Sequence, residues 1–252
     1  MGAALSDDQG LVPSVVAFVD VLGTRAMSDG QQEEAFDRLV SARRRAEEFL
    51  EENPSYSIRT FTDNTLLRWT TEAPGGGGVN AALAWLPGEL AAFQFAFAIE
   101  GILVRGAVEA GLLAITGTMI FGKALNDAYE SETRKAFWPR IILSAETVAA
   151  VSQATEVATD YPEDVLSSLL VDEDGSVFIH YLTWVLKSDA PEFYIERHRD
   201  ILLERLVLER SNPRAVEKIR WSIDYHNYAV TQMGHSSLTI TEAERSRGFH
   251  KI

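Results

Sequence analysis

The chain has 252 residues, 46% of them hydrophobic, which is enough to bury the core of one domain or of a domain with an extension. Its net charge of −14 disfavours binding to nucleic acid, since an acidic surface repels the phosphate backbone. The absence of cysteine excludes disulfides, thiolate catalysis and cysteine-ligated zinc, and fits a cytoplasmic location. Because no apolar run could span a bilayer and the N-terminus lacks the features of a secretory signal, we expect no membrane association.

The first predicted element is a buried strand over residues 14–22, within which the segment VVAFVDVLG at 15–23 begins. Its β-branched and aromatic residues favour a strand. Asp20 lies near the end of this strand, where an ionised carboxylate is costly unless a partner compensates for its charge. Asp20 is therefore a candidate functional residue, although it could instead cap the next helix.

A surface helix and a hairpin follow. Apolar residues at helical spacing among charges predict an amphipathic helix over residues 31–51. The alternating segment YSIRTFTDNTLLRWT, residues 56–70, predicts a β-hairpin with Asp63 at or beside its turn. Asp63 could be an ordinary turn residue. The stretch PGGGG at 74–78 predicts a flexible loop.

The rest of the predicted core alternates helices and strands. We expect a largely apolar helix over 79–101 with a candidate break at Pro87–Gly88, a strand pair or bulged strand over 102–115, a helix over 123–137 and a strand over 139–144. The resulting order, β-α-β-β-α-β-β-α-β, predicts an α+β fold of the ferredoxin-like type with the helices on one face of the sheet.

We expect three regions: an N-terminal tail over 1–13, a core over 14–150 and an extension over 151–252 that packs on the core. The extension has a turn at 172–175, a strand in VFIHYLTWV and two helices near 192–210 and 213–233. The five histidines lack zinc-site spacing, and we expect His226 to be buried and hydrogen-bonded.

In a ferredoxin-like sheet the first strand and the hairpin are neighbours, so Asp20 and Asp63 could converge. Two adjacent carboxylates repel each other unless a cation lies between them. Mg²⁺ or Mn²⁺ would suit this position, because hard cations bind carboxylate oxygens and leave positions for phosphate oxygens. Two such ions could assist displacement at a phosphorus atom.

Four segments, FVDVLGTRA, FTDNTLL, VRGAVEAGLL and FGKALNDAYESE, resemble in their order and spacing the catalytic domain of class III nucleotide cyclases. They are most similar to the pyrimidine cyclases of bacterial Pycsar anti-phage systems. The resemblance covers roughly residues 14–145, and VEKIRWSIDYHNY also resembles the C-terminal segment of that subfamily.

The resemblance implies two divalent metals, Mg²⁺ or Mn²⁺, bound by Asp20, Asp63 and the main-chain carbonyl of Val21. Asn126 matches the asparagine that the family uses in the transition state. Glu130 stands where the family has its transition-state arginine. The cations that could replace that arginine are Arg105, Lys123, Arg134, Lys135 and Arg140.

Base selection also departs from the adenylate cyclases. Arg59 and Met119 stand at the positions of the lysine and aspartate that read adenine there. Arg59 can only donate hydrogen bonds and Met119 cannot accept one from an exocyclic amine, which favours UTP over ATP and, modestly, over CTP. Tyr56 and Phe121 could stack on the base. Alternatively, Arg59 is an exposed strand residue paired with a glutamate, and Met119 and Phe121 belong to the core.

The resemblance thus implies an enzyme that converts UTP to 3′,5′-cyclic UMP and pyrophosphate. It further implies a head-to-tail homodimer with sites at the interface, and a separate effector that senses the cyclic nucleotide during phage defence. The alternatives are a cyclase that makes cyclic CMP or cyclic AMP, a palm-fold polymerase that makes oligonucleotide signals, and a catalytically degenerate module that binds a nucleotide. Glu130 keeps the last alternative open.

Overall fold

The structure is a computed structural model that describes residues 9–24, 29–50, 56–70, 78–117, 119–157, 165–241 and 249–251. One mixed β-sheet carries helices on both faces, so the fold belongs to the α+β class as predicted. The strands are β1 (Gln9–Val21), β2 (Tyr56–Phe61), β3 (Asn64–Thr70), β4 (Val104–Ile115), β5 (Ile120–Phe121), β6 (Ile141–Leu143), β7 (Leu169–Val171), β8 (Val177–Ile179) and β9 (His250–Lys251). The α-helices are α1 (Asp29–Leu50), α2 (Gly78–Ala98), α3 (Lys123–Lys135), α4 (Ala145–Val157), α5 (Pro191–Leu208) and α6 (Pro213–Gln232).

Strand β1 lies in the middle of the sheet and pairs antiparallel with β3 and β4. Its side chains alternate between two buried clusters, with Val15 and Ala17 on one face and Val16 and Phe18 on the other. Because both faces are covered, the strand is apolar almost throughout, which explains the apolar run over residues 15–23. The strand begins at Gln9, inside the segment predicted as an N-terminal tail.

The strand order is β2-β3-β1-β4-β6-β8-β7-β9, and β5 pairs with β4. The first four strands have the order and antiparallel pairing expected of a ferredoxin-like core. Strands β4 and β6 are parallel, and β8, β7 and β9 continue the same sheet. Helix α4 runs across residue 150, so the division of the chain at that residue stays a prediction.

The helices occupy both faces of the sheet. Helices α1, α2 and α4 pack on the face of Val15 and Ala17, in keeping with the predicted layer of helices on one face. Helix α3 packs instead on β1 and β4 from the other face, through Ala124 and Ala128. This differs from the prediction, because the sequence pattern of a short helix does not reveal which face of the sheet it covers.

Several predicted boundaries shift. Helix α2 continues through Pro87 without a break. Residues 104–115 form one strand and not a strand pair. The pairing of this strand with β1 has a register shift between Gln9 and Val12, at the start of β1. The predicted strand VFIHYLTWV forms only β8, and residues Tyr181–Lys187 form a 3₁₀ helix. Shorter 3₁₀ helices span Val165–Ser168 and Ser236–Leu238. Most of the predicted glycine loop lies outside the described residues.

A buried histidine network joins the helices of the C-terminal region. His198 and His226 stack with ring centroids 5.1 Å apart, and their Nδ1 atoms are 3.0 Å apart. His226 donates from Nε2 to the carbonyl of Leu238 at 3.0 Å, which leaves its Nδ1 to accept from His198. Tyr181 in turn donates to Nε2 of His198. The prediction that His226 is buried and hydrogen-bonded is confirmed.

No helix among the described residues combines the length and apolar character needed to cross a membrane.

Candidate functional site

Asp20 is held by an arginine on the neighbouring strand. It pairs in register with Arg105 across β1 and β4, and Arg105 Nε and Nη2 each donate to Asp20 Oδ2 at 3.3 Å. The two side chains are 16% and 23% exposed, so water shields this ion pair only in part. The guanidinium therefore compensates for the charge of Asp20. The residues that precede the next helix lie outside the described part of the chain, so the alternative that Asp20 caps this helix stays a prediction.

Arg105 is shared with a second carboxylate that the sequence did not single out. Oε1 of Glu132, on α3, lies 2.6 Å from Arg105 Nε, and the Glu132 side chain is 3% exposed. Arg105 Nη1 also donates to the carbonyl of Ala136 at 3.5 Å. The arginine thus links β1, β4 and the end of α3. A glutamate on the buried side of an amphipathic helix was the signal that could have identified Glu132.

Asp63 lies in the tight turn between β2 and β3. The turn residue Thr62 has a φ of 58°, a conformation that costs a β-branched residue free energy. The Asp63 carboxylate accepts hydrogen bonds from Thr24, from Thr62 at 3.1 Å and from Asn64 at 3.2 Å. The hairpin therefore forms as predicted, and several donors orient the carboxylate.

The structure brings Asp20 and Asp63 to the same end of adjacent strands. Asn64, which follows Asp63, pairs with Asp20 in the β1–β3 register. The N–H of Val21 donates to the main-chain carbonyl of Asp63 at 3.2 Å, so the two chain segments are hydrogen-bonded at this point. The first strand and the hairpin are therefore neighbours in the sheet, as predicted.

The oxygen donors at this end fit a hard divalent cation. Two carboxylates and the carbonyl of Val21 are the ligand types that Mg²⁺ and Mn²⁺ prefer. A cation bound by Asp20 would have to share that carboxylate with Arg105. Within the described part of the chain, no group of three or more His, Cys, Asp or Glu side chains is placed to hold a metal. A metal would therefore need further ligands from a substrate or from water.

A second group of predicted site residues lies elsewhere on the molecule. Phe121, on β5, pairs with Ala114, which follows Arg105 by nine residues on β4. At about 3.3 Å per residue, Phe121 is therefore roughly 30 Å from Arg105 along the strand. Met119 and Phe121 are 55% and 59% exposed, so the alternative that they belong to the core is wrong.

Asn126 and Lys123 lie on the first turns of α3. Asn126 is exposed and precedes Glu132 by six residues, about 9 Å along the helix axis. Lys123 is exposed and forms an ion pair with Asp127, which raises its pKa. Gly122 precedes the helix at a point where no side chain fits, because a Cβ there would lie 2.2 Å from the carbonyl oxygen of Leu112. Within one chain, Met119 and Phe121 therefore lie far from Asp20, and Asn126 makes no hydrogen bond with it.

Arg59 and Tyr56 lie on the edge strand β2. Arg59 pairs with Leu66, whose side chain belongs to the cluster under α3, so Arg59 lies on the sheet face that also carries Asp20. Its Nη1 donates to the carbonyl of Ile58 at 3.1 Å. Tyr56 is the first residue of β2 and pairs with Trp69. The structure thus brings Arg59 to the sheet face of Asp20, four residues before Asp63 of the hairpin turn.

The cations that could replace the missing transition-state arginine lie in different surroundings. Glu130 is exposed on α3 and forms an ion pair with Arg134, so both point towards solvent. Arg140 is fully buried and forms ion pairs with Asp172 and Asp174. It is therefore a structural residue, and the prediction that it could replace the missing arginine is wrong. Lys135 lines an open cleft of about 500 Å³ between α3 and the start of α4. Among these cations only Arg105 contacts Asp20.

Comparisons with known proteins add a similarity of fold. No family model matches the sequence, and no curated protein matches it. Similar solved structures include a monomeric guanylyl cyclase domain of the RhoGC fusion protein from the aquatic fungus Blastocladiella emersonii (TM-score 0.47, 13% identity, 69% of this chain and 96% of that one). Another is the adenylyl cyclase CyaB from P. aeruginosa (TM-score 0.41, 15% identity, 68% and 93%).

A third is the guanylate cyclase domain of RhGC from Catenaria anguillulae in complex with GTP (TM-score 0.41, 14% identity, 66% of this chain and 93% of that one). At these scores and identities the likenesses by themselves assign neither a family nor an activity.

Proposed function

We propose that the protein is a class III nucleotide cyclase that converts UTP to 3′,5′-cyclic UMP and pyrophosphate. The observation that carries this proposal is the adjacency of Asp20 and Asp63, joined through the hydrogen bond from the Val21 N–H to the Asp63 carbonyl. Both residues stand in the segments that resemble the metal-binding motifs of the family. The oxygen-rich donor set supports the binding of Mg²⁺ or Mn²⁺.

In the proposed reaction the ribose 3′-oxygen forms a bond to the α-phosphorus, the bond from that phosphorus to the bridging oxygen breaks, and pyrophosphate leaves. The proton of the hydroxyl passes to solvent. Divalent metals, when bound, would neutralise charge on the phosphates. Asp20 and Asp63 would hold these ions, and Asn126 would orient the ribose or the phosphates. Catalysis by positioning and charge needs no covalent intermediate.

We propose a head-to-tail homodimer because the site residues form two separate groups in one chain. Asp20 and Asp63 lie at one end of β1 and β3, whereas Phe121 lies roughly 30 Å away along β4. A second copy could bring its own Asn126 against the carboxylates. Four large apolar side chains of these regions are exposed in the single chain, and their exposure supports burial in an interface. They are Phe61, Met119, Phe121 and Tyr129.

We further propose that Arg59 selects uracil by donating to its carbonyl oxygens, and that Met119 and Phe121 of the partner subunit line the base pocket. The position of Arg59 on the sheet face of Asp20 supports this role. A role in anti-phage defence, through an effector that senses the cyclic nucleotide, rests on the sequence resemblance alone.

The test is to incubate the purified protein with ATP, GTP, CTP and UTP separately, with Mg²⁺ or Mn²⁺, and to identify the products by mass spectrometry. We expect cyclic UMP from UTP. Cyclic CMP alone would keep the cyclase and overturn the choice of base. Absence of any cyclic nucleotide would overturn the proposal that the protein is a nucleotide cyclase.

A second candidate function is nucleotide binding without turnover. The ion pair between Asp20 and Arg105, together with the exposed Glu130 in place of an arginine, favours it. Tight binding of a triphosphate by a protein that forms no cyclic product would identify this function.

A further inference from the structure

Helix α6, in the C-terminal region, is fixed to the core beside the candidate site. Trp221 Nε1 donates to Oδ2 of Asp172 at 2.9 Å, and the guanidinium of the fully buried Arg140 binds the same carboxylate. The main-chain carbonyl of Arg140 accepts the N–H of Gly106 at 3.0 Å, next to Arg105 on β4. This chain of contacts determines where α6 lies relative to the Asp20–Arg105 pair.

Lys218 lies on α6 one turn before Trp221, near the end of the sheet that carries Asp20. Its Nζ lies 5.9 Å from the ring centroid of Phe137. Phe137 follows Ala136, whose carbonyl accepts from Arg105. Burial lowers the pKa of Lys218 and so does the nearby charge of Arg105, whereas Asp20 acts in the opposite direction. The ammonium therefore lies within electrostatic range of the candidate site.

The ammonium of Lys218 is half-buried yet makes no hydrogen bond or salt bridge with any residue that the structure describes. A half-buried cation without a carboxylate partner retains donors for an anionic ligand. Arg105, by contrast, is already engaged by Asp20 and Glu132. The protein as a whole has a net charge of −14, so a polyphosphate needs local positive charge to bind.

We propose that Lys218 binds the phosphate chain of the nucleotide, so that the C-terminal helix α6 completes the site of Asp20 and Asp63. This inference rests on the proposed function and extends it, since the segment that resembles the cyclase domain ends near residue 145. Lys218 is a substrate-binding residue that acts on the leaving pyrophosphate and not on the base. A lysine suits this task as a compact point charge on a flexible stem.

The test compares Lys218→Met and Lys218→Arg in the full chain, with Arg220→Met as the matched control on an exposed part of α6. The methionine retains the apolar stem against Phe137 and removes the charge. Isothermal titration with inorganic pyrophosphate and Mg²⁺ measures binding directly, and the steady-state kinetics of cyclic nucleotide formation give KM and kcat separately. Thermal unfolding checks that each variant folds.

We expect Lys218→Met to raise the Kd of pyrophosphate and the KM of UTP about tenfold, which corresponds to about 1.4 kcal/mol. Lys218→Arg should recover most of the affinity, and Arg220→Met should behave as wild type. Because the arginine retains the charge, its recovery also separates a binding role from a merely structural one.

Failure of this inference is distinguishable from failure of the proposed function. Unchanged pyrophosphate affinity in Lys218→Met, in a protein that makes cyclic nucleotide, overturns the role of Lys218 and leaves the cyclase intact. A wild-type protein that makes no cyclic nucleotide but binds pyrophosphate through Lys218 overturns the cyclase and supports the phosphate site. A wild-type protein that neither binds pyrophosphate nor makes product overturns both.

Discussion

Arg105 and Asp20 face each other across β4 and β1, and the guanidinium donates through both Nε and Nη2 to one carboxylate oxygen. The arginine thereby occupies the carboxylate that the proposed chemistry assigns to a divalent metal. The state of the site depends on how these two cations divide Asp20 between them, with Glu132 available to retain Arg105.

Replacement of Arg105 by methionine tests this competition. It leaves the carboxylates of Asp20 and Glu132 without their cation in a partly desolvated position, so we expect a loss of about 3 kcal/mol in the free energy of unfolding in EDTA. Mn²⁺ should restore more stability to the variant than it adds to wild type, because a ligand that binds only the folded state stabilises it. Urea denaturation with EDTA or Mn²⁺ measures both effects.

The matched control is Arg134→Met, which removes an exposed partner of Glu130 and should cost less than about 1 kcal/mol. An equal Mn²⁺ effect in wild type and Arg105→Met would contradict the competition for Asp20.

Asp20→Asn and Asp63→Asn should each reduce cyclic nucleotide formation by more than about a hundredfold, because an amide replaces the anionic ligand of the metal. The fold should persist, since the amide keeps the shape of each side chain. Product yield by mass spectrometry and circular dichroism check the two statements. Asp189→Asn, at an exposed position outside the site, serves as the control. Full activity in either site variant would disprove the metal assignment.

Arg59→Ala should change base preference more than metal dependence. We expect kcat/KM for UTP to fall about tenfold or more, as a charged hydrogen bond to the base is lost, while the Mn²⁺ concentration for half-maximal activity stays the same. The measurement is kcat/KM on all four triphosphates. Arg44→Ala removes an exposed arginine on α1 as the control. An equal loss on every nucleotide would rule out base reading by Arg59.

Gly122→Ala should destabilise the start of α3, the helix that carries Asn126. A Cβ at this position would lie 2.2 Å from the carbonyl oxygen of Leu112 and 2.8 Å from the Cα of Leu113. Both are backbone atoms of β4, which cannot shift without disturbing the strand. We expect a loss of about 2–3 kcal/mol by thermal unfolding. Gly117→Ala, where a Cβ meets nothing within 4 Å, should stay within about 0.5 kcal/mol of wild type. Similar stability in the two variants would contradict the close packing at Gly122.

The stability of the protein should fall as the pH drops below about 6.5. Burial lowers the pKa of His226 to about 4 and that of His198 well below its usual value, so both remain neutral in the folded state while the unfolded chain takes up protons. Stability is therefore fully present above the unfolded pKa and is lost on acidification towards the folded pKa.

Each of these histidines should contribute about 1 kcal/mol of this loss between pH 6.5 and pH 5.5. Urea denaturation at several pH values across this range measures it. A free energy of unfolding that does not vary over this interval would contradict the buried neutral pair.

The sequence by itself determined the elements whose signal is local. The apolar run of β1, the hairpin around Asp63 and the amphipathic helix α1 follow from side-chain period and turn chemistry. The proximity of Asp20 and Asp63 also followed from the sequence, because the order of the elements fixed which strands are neighbours.

Only the tertiary structure decided which charges meet. Arg105 faces Asp20 through the register of two antiparallel strands. Glu132 joins them because α3 covers the sheet face of Val16 and Phe18. Lys218 comes from α6, a helix that is distant from Asp20 in the sequence. These contacts depend on register, layer and long-range packing. A local pattern carries none of this information, since the same helix or strand could have packed with its charges among other neighbours.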